Sequence, residues 1–221
     1  LKNNIRYKKP WPTKDAMDQI YEKHLWGGEG FDFYSGEGSH KAELVEPYLE
    51  NVGHFLRSFE QSPVVCDLGC GDFNVGKELV PFTKKYVAVD IVEVLVQRNR
   101  IKFRDDRLEF KCLNIATDEL PAGDCAILRQ VLQHLSNTEI QCIVPKLGIY
   151  KYLIVTEHLP DGSFKPNLNI ISGQGTRLKK QSGVDLTAPP FDMKVQEAQQ
   201  LLSVRSITFG GHVVTTLYKM N

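Results

Sequence analysis

The chain has 221 residues, 42% of them hydrophobic, which suits one α/β domain with a short appendage. Lys plus Arg and Asp plus Glu number 27 each, so the formal net charge is zero. That balance argues against broad electrostatic capture of nucleic acid and leaves room only for a local basic patch.

Residues 1–10 are polar and basic and carry no apolar signal segment. The start at Leu1 rather than Met implies native residues ahead of it. A helix is predicted over Thr13 to His24, with Thr13 as N-cap. Two glycine-rich stretches follow, Trp26-Gly27-Gly28-Glu29-Gly30 and Ser35-Gly36-Glu37-Gly38-Ser39, and read as loop. A second helix is predicted over His40 to Phe59. Leu44, Val45, Tyr48, Leu49, Val52, Phe55, Leu56 and Phe59 recur there at helical spacing, and Ser39 with Glu43 supplies capping chemistry at its start.

From Pro63 the pattern changes to short apolar runs alternating with helical ones. Strands are predicted at Val64 to Leu68, Tyr86 to Asp90, Leu108 to Leu113, Asp124 to Leu128 and Tyr152 to Thr156. Helices are predicted at Asn74 to Phe82, Val92 to Ile101 and Asn137 to Leu147. That alternation implies a mostly parallel sheet covered on both faces. Residues 160–192, rich in Pro and Gly, break the rhythm and read as a lid-like excursion above the sheet. A helix over Lys194 to Leu202 is expected next. Strands Val204 to Phe209 and His212 to Tyr218 then pair through Gly210-Gly211 as an antiparallel hairpin. The chain thus divides into an N-terminal helical cap (1–62) and a main domain (63–221). No apolar run approaches the roughly 18 residues that span a bilayer.

Cys66, Cys70, Cys112, Cys125 and Cys142 form no CxxC pair. The first two, Cys112 and Cys125 lie in or beside predicted core strands, and Cys142 lies on a helix. Free cysteines of this kind fit a reducing cytoplasm. No Asp/His/Glu set has ligand spacing, so metal-independent chemistry is expected.

The strongest signal is Val64-Val65-Cys66-Asp67-Leu68-Gly69-Cys70-Gly71-Asp72-Phe73-Asn74, a strand running into glycines and then a predicted helix whose N-terminus offers N–H groups to a ligand. The dinucleotide pattern G-x-G-x-x-G fails at Asn74. Asp67 would repel a pyrophosphate but suits a ligand carrying ammonium and sulfonium charge. Asp90 ends the next strand about 20 residues further on, the distance at which an acid in a βαβ unit reaches ribose hydroxyls. It also stands where it can cap the following helix.

Asp67, Gly69 and Gly71 resemble the first motif of the class I S-adenosylmethionine-dependent methyltransferases, with Phe73 in place of the frequent third glycine. The resemblance spans about Pro63 to Tyr218. It implies a Rossmann-like seven-stranded mixed sheet, parallel with a C-terminal antiparallel hairpin, helices on both faces and an N-terminal helical cap. It implies S-adenosylmethionine as cofactor and S-adenosylhomocysteine as product. By the same resemblance Gly69, Cys70 and Gly71 cradle the cofactor, Asp90 binds the ribose, and Ile91, Asn114 and Ile115 line the adenine. The backbone of Arg129 and Gln130, in the Leu128-to-Leu135 segment, passes under the methionine half. Trp26-Gly27 followed by Ser35-Gly36-Glu37-Gly38-Ser39 resembles a subset of these enzymes, which places Tyr34, Ser35 and Gly38 near the methionine end.

Transfer to a hydroxyl profits from a general base. His134 is the first candidate, with Glu157 and His158 at the same rim. Asn167, Asn169, Arg177, Lys179, Lys180 and Asp185 form a second possible wall, where the cations can meet a phosphate. Three functions are open. The leading one is methyl transfer to a small molecule, such as a hydroxyl of a saccharide or natural-product-like acceptor. The others are methylation of RNA or protein, and non-catalytic cofactor binding.

Overall fold

The computed structural model describes residues 10–221, so the reading of residues 1–9 lies outside it. The helices are α1 (Thr13–Glu22), α2 (Ala42–Arg57), α3 (Glu93–Lys102) and α4 (Asn137–Ile143). The strands are β1 (Val64–Leu68), β2 (Lys85–Asp90), β3 (Leu108–Cys112), β4 (Cys125–Arg129), β5 (Tyr152–Leu159), β6 (Glu197–Arg205) and β7 (His212–Lys219). They form one seven-stranded sheet in the order β3-β2-β1-β4-β5-β7-β6. Strands β1 to β5 are parallel, and β7 runs antiparallel to both β5 and β6. The order reverses between β1 and β4, and the crevice beyond their carboxyl ends is where open α/β sheets bind ligands.

Alternate residues of β1, β2, β4 and β5 feed two cores, which is why these strands read as apolar runs. On one face Val65, Tyr86, Ala88 and Ile127 pack with Tyr48, Val52 and Leu56 of α2. On the other, Cys66, Leu68, Val89 and Leu128 pack with Ile140 and Ile143 of α4 and with Leu186 and Phe191 of the 160–192 segment. Helix α2 is therefore a layer of the main core, whereas α1 closes a smaller cluster with Val92 and Leu95.

Five local expectations are corrected. Residues 74–82 form two short 3-10 turns, Gly76–Glu78 and Val80–Phe82, rather than one helix. Gly76 and Pro81 both weaken a regular α-helix there. Residues 194–202 are not helical: β6 starts at Glu197, pairs with β7 from Glu197↔Lys219 to Arg205↔His212, and carries an irregularity between Gln200 and Leu202. Tertiary pairing overrides the helix propensity of Gln, Glu and Leu. The β6–β7 join is correspondingly longer than Gly210-Gly211, and starts at Ser206. Ser39 does not cap α2, whose N-cap is Lys41 without a side-chain bond. Thr13 lies inside α1, and its hydroxyl donates to Glu139. A capping box does form at α4, between Ser136 and Glu139.

Cys66 and Cys125 are buried, Cys70 is half-buried, and Cys112 and Cys142 are exposed, all free. Cys112 is outside the core because β3 is an edge strand. Among the described residues no helix is long and apolar enough to cross a membrane.

Candidate active site

The glycine loop is closed on itself. Gly69 and Cys70 donate their N–H groups to the Val89 carbonyl at 2.8 and 2.9 Å, and Gly71 donates to Asp90 Oδ2 at 3.0 Å. Asp72 donates to Ser35 Oγ at 2.8 Å, Phe73 to the Cys70 carbonyl at 3.1 Å, and Asn74 to Asp72 Oδ1 at 3.1 Å. Every amide from 69 to 74 is thus spent inside the protein. The expectation of a helix N-terminus offering free N–H groups fails, because no regular helix follows the loop. Gly69 and Gly71 have φ of 103° and 56°, and a Cβ at either would collide, with Val131 and Ser35 respectively. Phe73, in the place of a third glycine, has φ 64° and packs its ring against Tyr86, Phe103 and Phe110.

Asp90 sits at the carboxyl end of β2. Its Oδ2 accepts from Gly71 and its Oδ1 accepts from the Val92 N–H at 3.0 Å, so it braces the loop and the approach to α3 together. Each oxygen keeps a lone pair for a ligand hydroxyl. Burial pushes the Asp90 carboxyl up, and the backbone donors oppose that shift. Ile91, Leu113, Ile115 and Met17 make an apolar slot beside it. Asn114 lines the same slot; its Oδ1 accepts from the Ala116 N–H at 2.9 Å, which leaves one lone pair free.

The segment before α2 lies across the loop. Ser35 Oγ is 2.9 Å from the Tyr21 hydroxyl, and the Ser35 N–H donates to Asp72 Oδ2 at 2.8 Å. His40 Nε2 also meets Asp72 Oδ2, at 2.6 Å. Arg129, at the end of β4, donates from Nη2 to the Gly38 carbonyl at 2.5 Å and stacks its guanidinium 4.8 Å from the Tyr48 ring centre. Its buried Nε has no partner among the described residues. Behind it Asp67 is buried and accepts from the Tyr86 hydroxyl at 2.9 Å, with its carboxyl pushed up to about 7 by desolvation. Gln130 takes a φ of 56°, donates its N–H to the Thr156 carbonyl at 2.7 Å, and packs its amide against Gly38.

The two histidines differ. His134 places Nδ1 3.1 Å from the Gly173 carbonyl and Nε2 3.2 Å from Gln133 Nε2, with its ring 5.0 Å from that of Trp26. Desolvation lowers its pKa to about 4. His158 places Nε2 2.7 Å from the Gly210 carbonyl, and its backbone N–H donates to Gln133 Oε1 at 3.1 Å. Desolvation lowers its pKa too. No described residue pairs with its Nδ1. Glu157 is 4% exposed, has neither oxygen bonded among the described residues, and is raised to about 8 by desolvation.

These parts surround a cavity of about 660 Å³, within the roughly 300–1,000 Å³ of small-molecule sites. It brings together Gly69, Cys70, Gly71, Asp90, Ile91, Asn114, Ile115, Arg129, Gln130, Ser35, Gly38, His134 and His158. Asp67, Tyr34 and Glu157 are not on its wall. Asp67 supports Arg129 from beneath, Tyr34 turns away to stack on His40 at 4.2 Å, and Glu157 lies under the Leu132–Gln133 backbone.

The 160–192 segment contributes Gln174, Thr176, Leu178 and Lys179 to the wall. Arg177 does not meet a ligand. It is 1% exposed and donates to the carbonyls of Leu168, Leu132 and Leu135 and to Asn137 Oδ1. Asn167 likewise pins the segment, donating to the Asp185 and Pro189 carbonyls. Lys180 is tied to the Asn169 carbonyl. Tyr21 and Met17 reach the cavity without any prior signal, because sequence alone does not say that α1 folds over the crevice; Trp26 and Gln133 reach it from segments that the motifs already marked. Among the described residues no group of three or more His, Cys, Asp or Glu is arranged to hold a metal ion.

No family model and no curated protein sequence matches the chain. Solved structures do. The N-methyltransferase NodS from Bradyrhizobium japonicum WM9, in complex with S-adenosyl-l-homocysteine, is 10% identical with a TM-score of 0.68, over 91% of this chain and 98% of its own. The magnesium protoporphyrin IX methyltransferase ChlM from Synechocystis PCC 6803, with bound SAM, is 15% identical with a TM-score of 0.61, over 96% and 99%. The 1,6-didemethyltoxoflavin-N1-methyltransferase from Burkholderia thailandensis is 16% identical with a TM-score of 0.59, over 98% and 94%. At these identities the likeness concerns the fold: this chain has the seven-stranded, Rossmann-like fold on which these methyltransferases are built.

Proposed function

We propose that the chain is a cytoplasmic S-adenosylmethionine-dependent methyltransferase that acts on a hydroxyl of a small, natural-product-like molecule and releases S-adenosylhomocysteine. The observation that carries this reading is the closed loop beside Asp90. A loop whose N–H groups are all spent has no nest for a pyrophosphate. The neighbouring carboxylate still has lone pairs for two hydroxyls. This combination suits a nucleoside with a cationic side chain and disfavours a dinucleotide.

The residues fit such a cofactor without rearrangement of the fold. Asp90 would accept from the ribose hydroxyls, and Met17, Ile91, Leu113 and Ile115 would hold the base. Arg129 would face the carboxylate of the methionine half, with Asp67 behind it. When bound, the cofactor supplies an activated methyl group on a sulfonium, so the protein's part is positioning and proton removal. Tyr21, Ser35 and Gly38 would cover the methionine side and keep water from it.

His158 is the base in this reading. A carbonyl only accepts, so the contact with Gly210 fixes the proton on Nε2 and leaves the lone pair on Nδ1. Its lowered pKa keeps the ring neutral at physiological pH, ready to take the hydroxyl proton. Phe209 stands 6.4 Å from its ring and Val213 opposite it on β7, and Leu44, Leu178 and Ile207 add apolar wall to the same cavity. That surround favours an apolar acceptor body over a saccharide.

A labelled-methyl assay over phenols, apolar alcohols, amines, sugars, nucleotides, RNA and protein tests the proposal. Transfer to hydroxylated apolar compounds, lost in His158→Gln, is expected. Transfer confined to sugars, RNA or protein would replace the acceptor assignment, and cofactor binding without transfer to any class would make the chain a binding protein.

A further inference from the structure

Gln133 is 7% exposed, lies between the two histidines and bonds to both. The directions of these bonds follow from groups with only one option. The His158 backbone N–H can only donate, so the Gln133 atom facing it is the amide oxygen. The Gln133 amide nitrogen therefore faces His134 Nε2, which must accept. The Gly173 carbonyl can only accept, so His134 Nδ1 carries the proton. All three requirements agree on one tautomer.

We infer that Gln133 is a positioning residue that divides the work of the two histidines: its amide fills the lone pair of His134 and fixes the backbone that carries His158, leaving His158 as the one free base. This rests on the reading of the cavity as a methyl-transfer site. His134 is thereby a neutral wall. Arg177 of the 160–192 segment also opposes a positive ring. Around His158 the titratable neighbours are His212 and Asp161, which act in opposite directions.

A neutral His134 has a purpose beside a sulfonium. An imidazolium in that wall would repel a positively charged cofactor and would spare the uncharged product. Gln133 excludes that state because protonating Nε2 would set two donors against each other. Its second amide hydrogen has no partner among the described residues and remains for an acceptor atom.

The test is nitrogen NMR of the histidine rings in the full chain, with His134 and His158 assigned by His134→Gln and His158→Gln. The expected result is His134 protonated on Nδ1 and bare on Nε2, uncharged down to about pH 5, with His158 protonated on Nε2 and bare on Nδ1. In Gln133→Leu the titration of His134 should move up by about one pH unit. In Gln133→Glu it should move up further, because the new carboxylate accepts from Nε2–H of a protonated ring. Protonation of His134 on Nε2 in the unaltered protein, or a titration that neither variant moves, would overturn the inference. Failure of S-adenosylhomocysteine to bind the unaltered protein would sink the methyl-transfer reading instead, since the ring tautomers are read without ligand.

Discussion

Ser35 and Asp72 exchange two hydrogen bonds: the Ser35 N–H donates to Asp72 Oδ2, and the Asp72 N–H donates to Ser35 Oγ, each at 2.8 Å. Two segments 37 residues apart in sequence are latched directly over the glycine loop. The latch explains why the N-terminal segment is ordered against the crevice rather than hanging as a loop. Ser35→Ala removes one acceptor and strands a buried N–H, a loss of about 1–3 kcal/mol. We expect a fall of about tenfold in S-adenosylhomocysteine affinity, equivalent to about 1.4 kcal/mol, with the sheet intact by circular dichroism. Unchanged affinity would separate the latch from the cofactor site.

For His158 the expected signature is a pH–rate profile. A base must be neutral to act, so turnover should rise with pH through the lowered His158 pKa and be level by neutrality. His158→Gln should abolish that limb and cost roughly 10²–10⁴-fold in kcat. His134→Gln should keep the limb. A profile that disappears with His134 instead would reassign the base.

Glu157 predicts a pH-dependent stability. Its folded pKa of about 8 lies above the ordinary carboxyl value of 4.5, so between these pH values the folded chain holds a proton that the unfolded chain releases. Stability contributed by the neutral carboxyl is complete below pH 4.5 and is lost as pH rises through about 8, with a slope of up to about 1.4 kcal/mol per pH unit. Glu157→Gln should flatten that part of the curve in urea denaturation and be more stable than the parent at pH 8. Parallel curves for the two proteins would mean that Glu157 is already ionised in the fold.

Arg177 predicts a structural loss. Its guanidinium is buried and holds the 160–192 segment to the backbone that follows β4. Arg177→Ala should cost about 3–5 kcal/mol, because several buried carbonyls lose donors at once. Protection of the Leu132–Asn137 amides in hydrogen exchange should fall with it. A surface-like loss of under about 0.5 kcal/mol would contradict the placement.

Strands β1, β2, β4 and β5 were legible because burial on both faces writes apolar runs, β3 because Leu108 and Phe110 alternate with charged residues, and the Asp90 position because an acid at a strand end has few roles. Strand β6 was not legible. Gln196 to Leu202 favours a helix locally, and only pairing with β7 makes it a strand. The loop motif was legible, but its closure was not: Asp72 finds Ser35, and no local propensity marks that pair. The histidine end of the cavity was partly legible. Both histidines lie in motif-bearing segments, whereas Gln133 gains its meaning from His158, 25 residues away. Arg177 read as a cation free to meet a phosphate because sequence does not say which carbonyls need donors.

The central claim is that this crevice binds a nucleoside with a cationic side chain through Asp90, with no phosphate nest. Titration calorimetry of the purified chain with S-adenosylhomocysteine and with NAD measures it directly. The account predicts saturable binding of S-adenosylhomocysteine, weakened at least about tenfold by Asp90→Ala, and no heat from NAD. Binding of NAD in place of S-adenosylhomocysteine would contradict it.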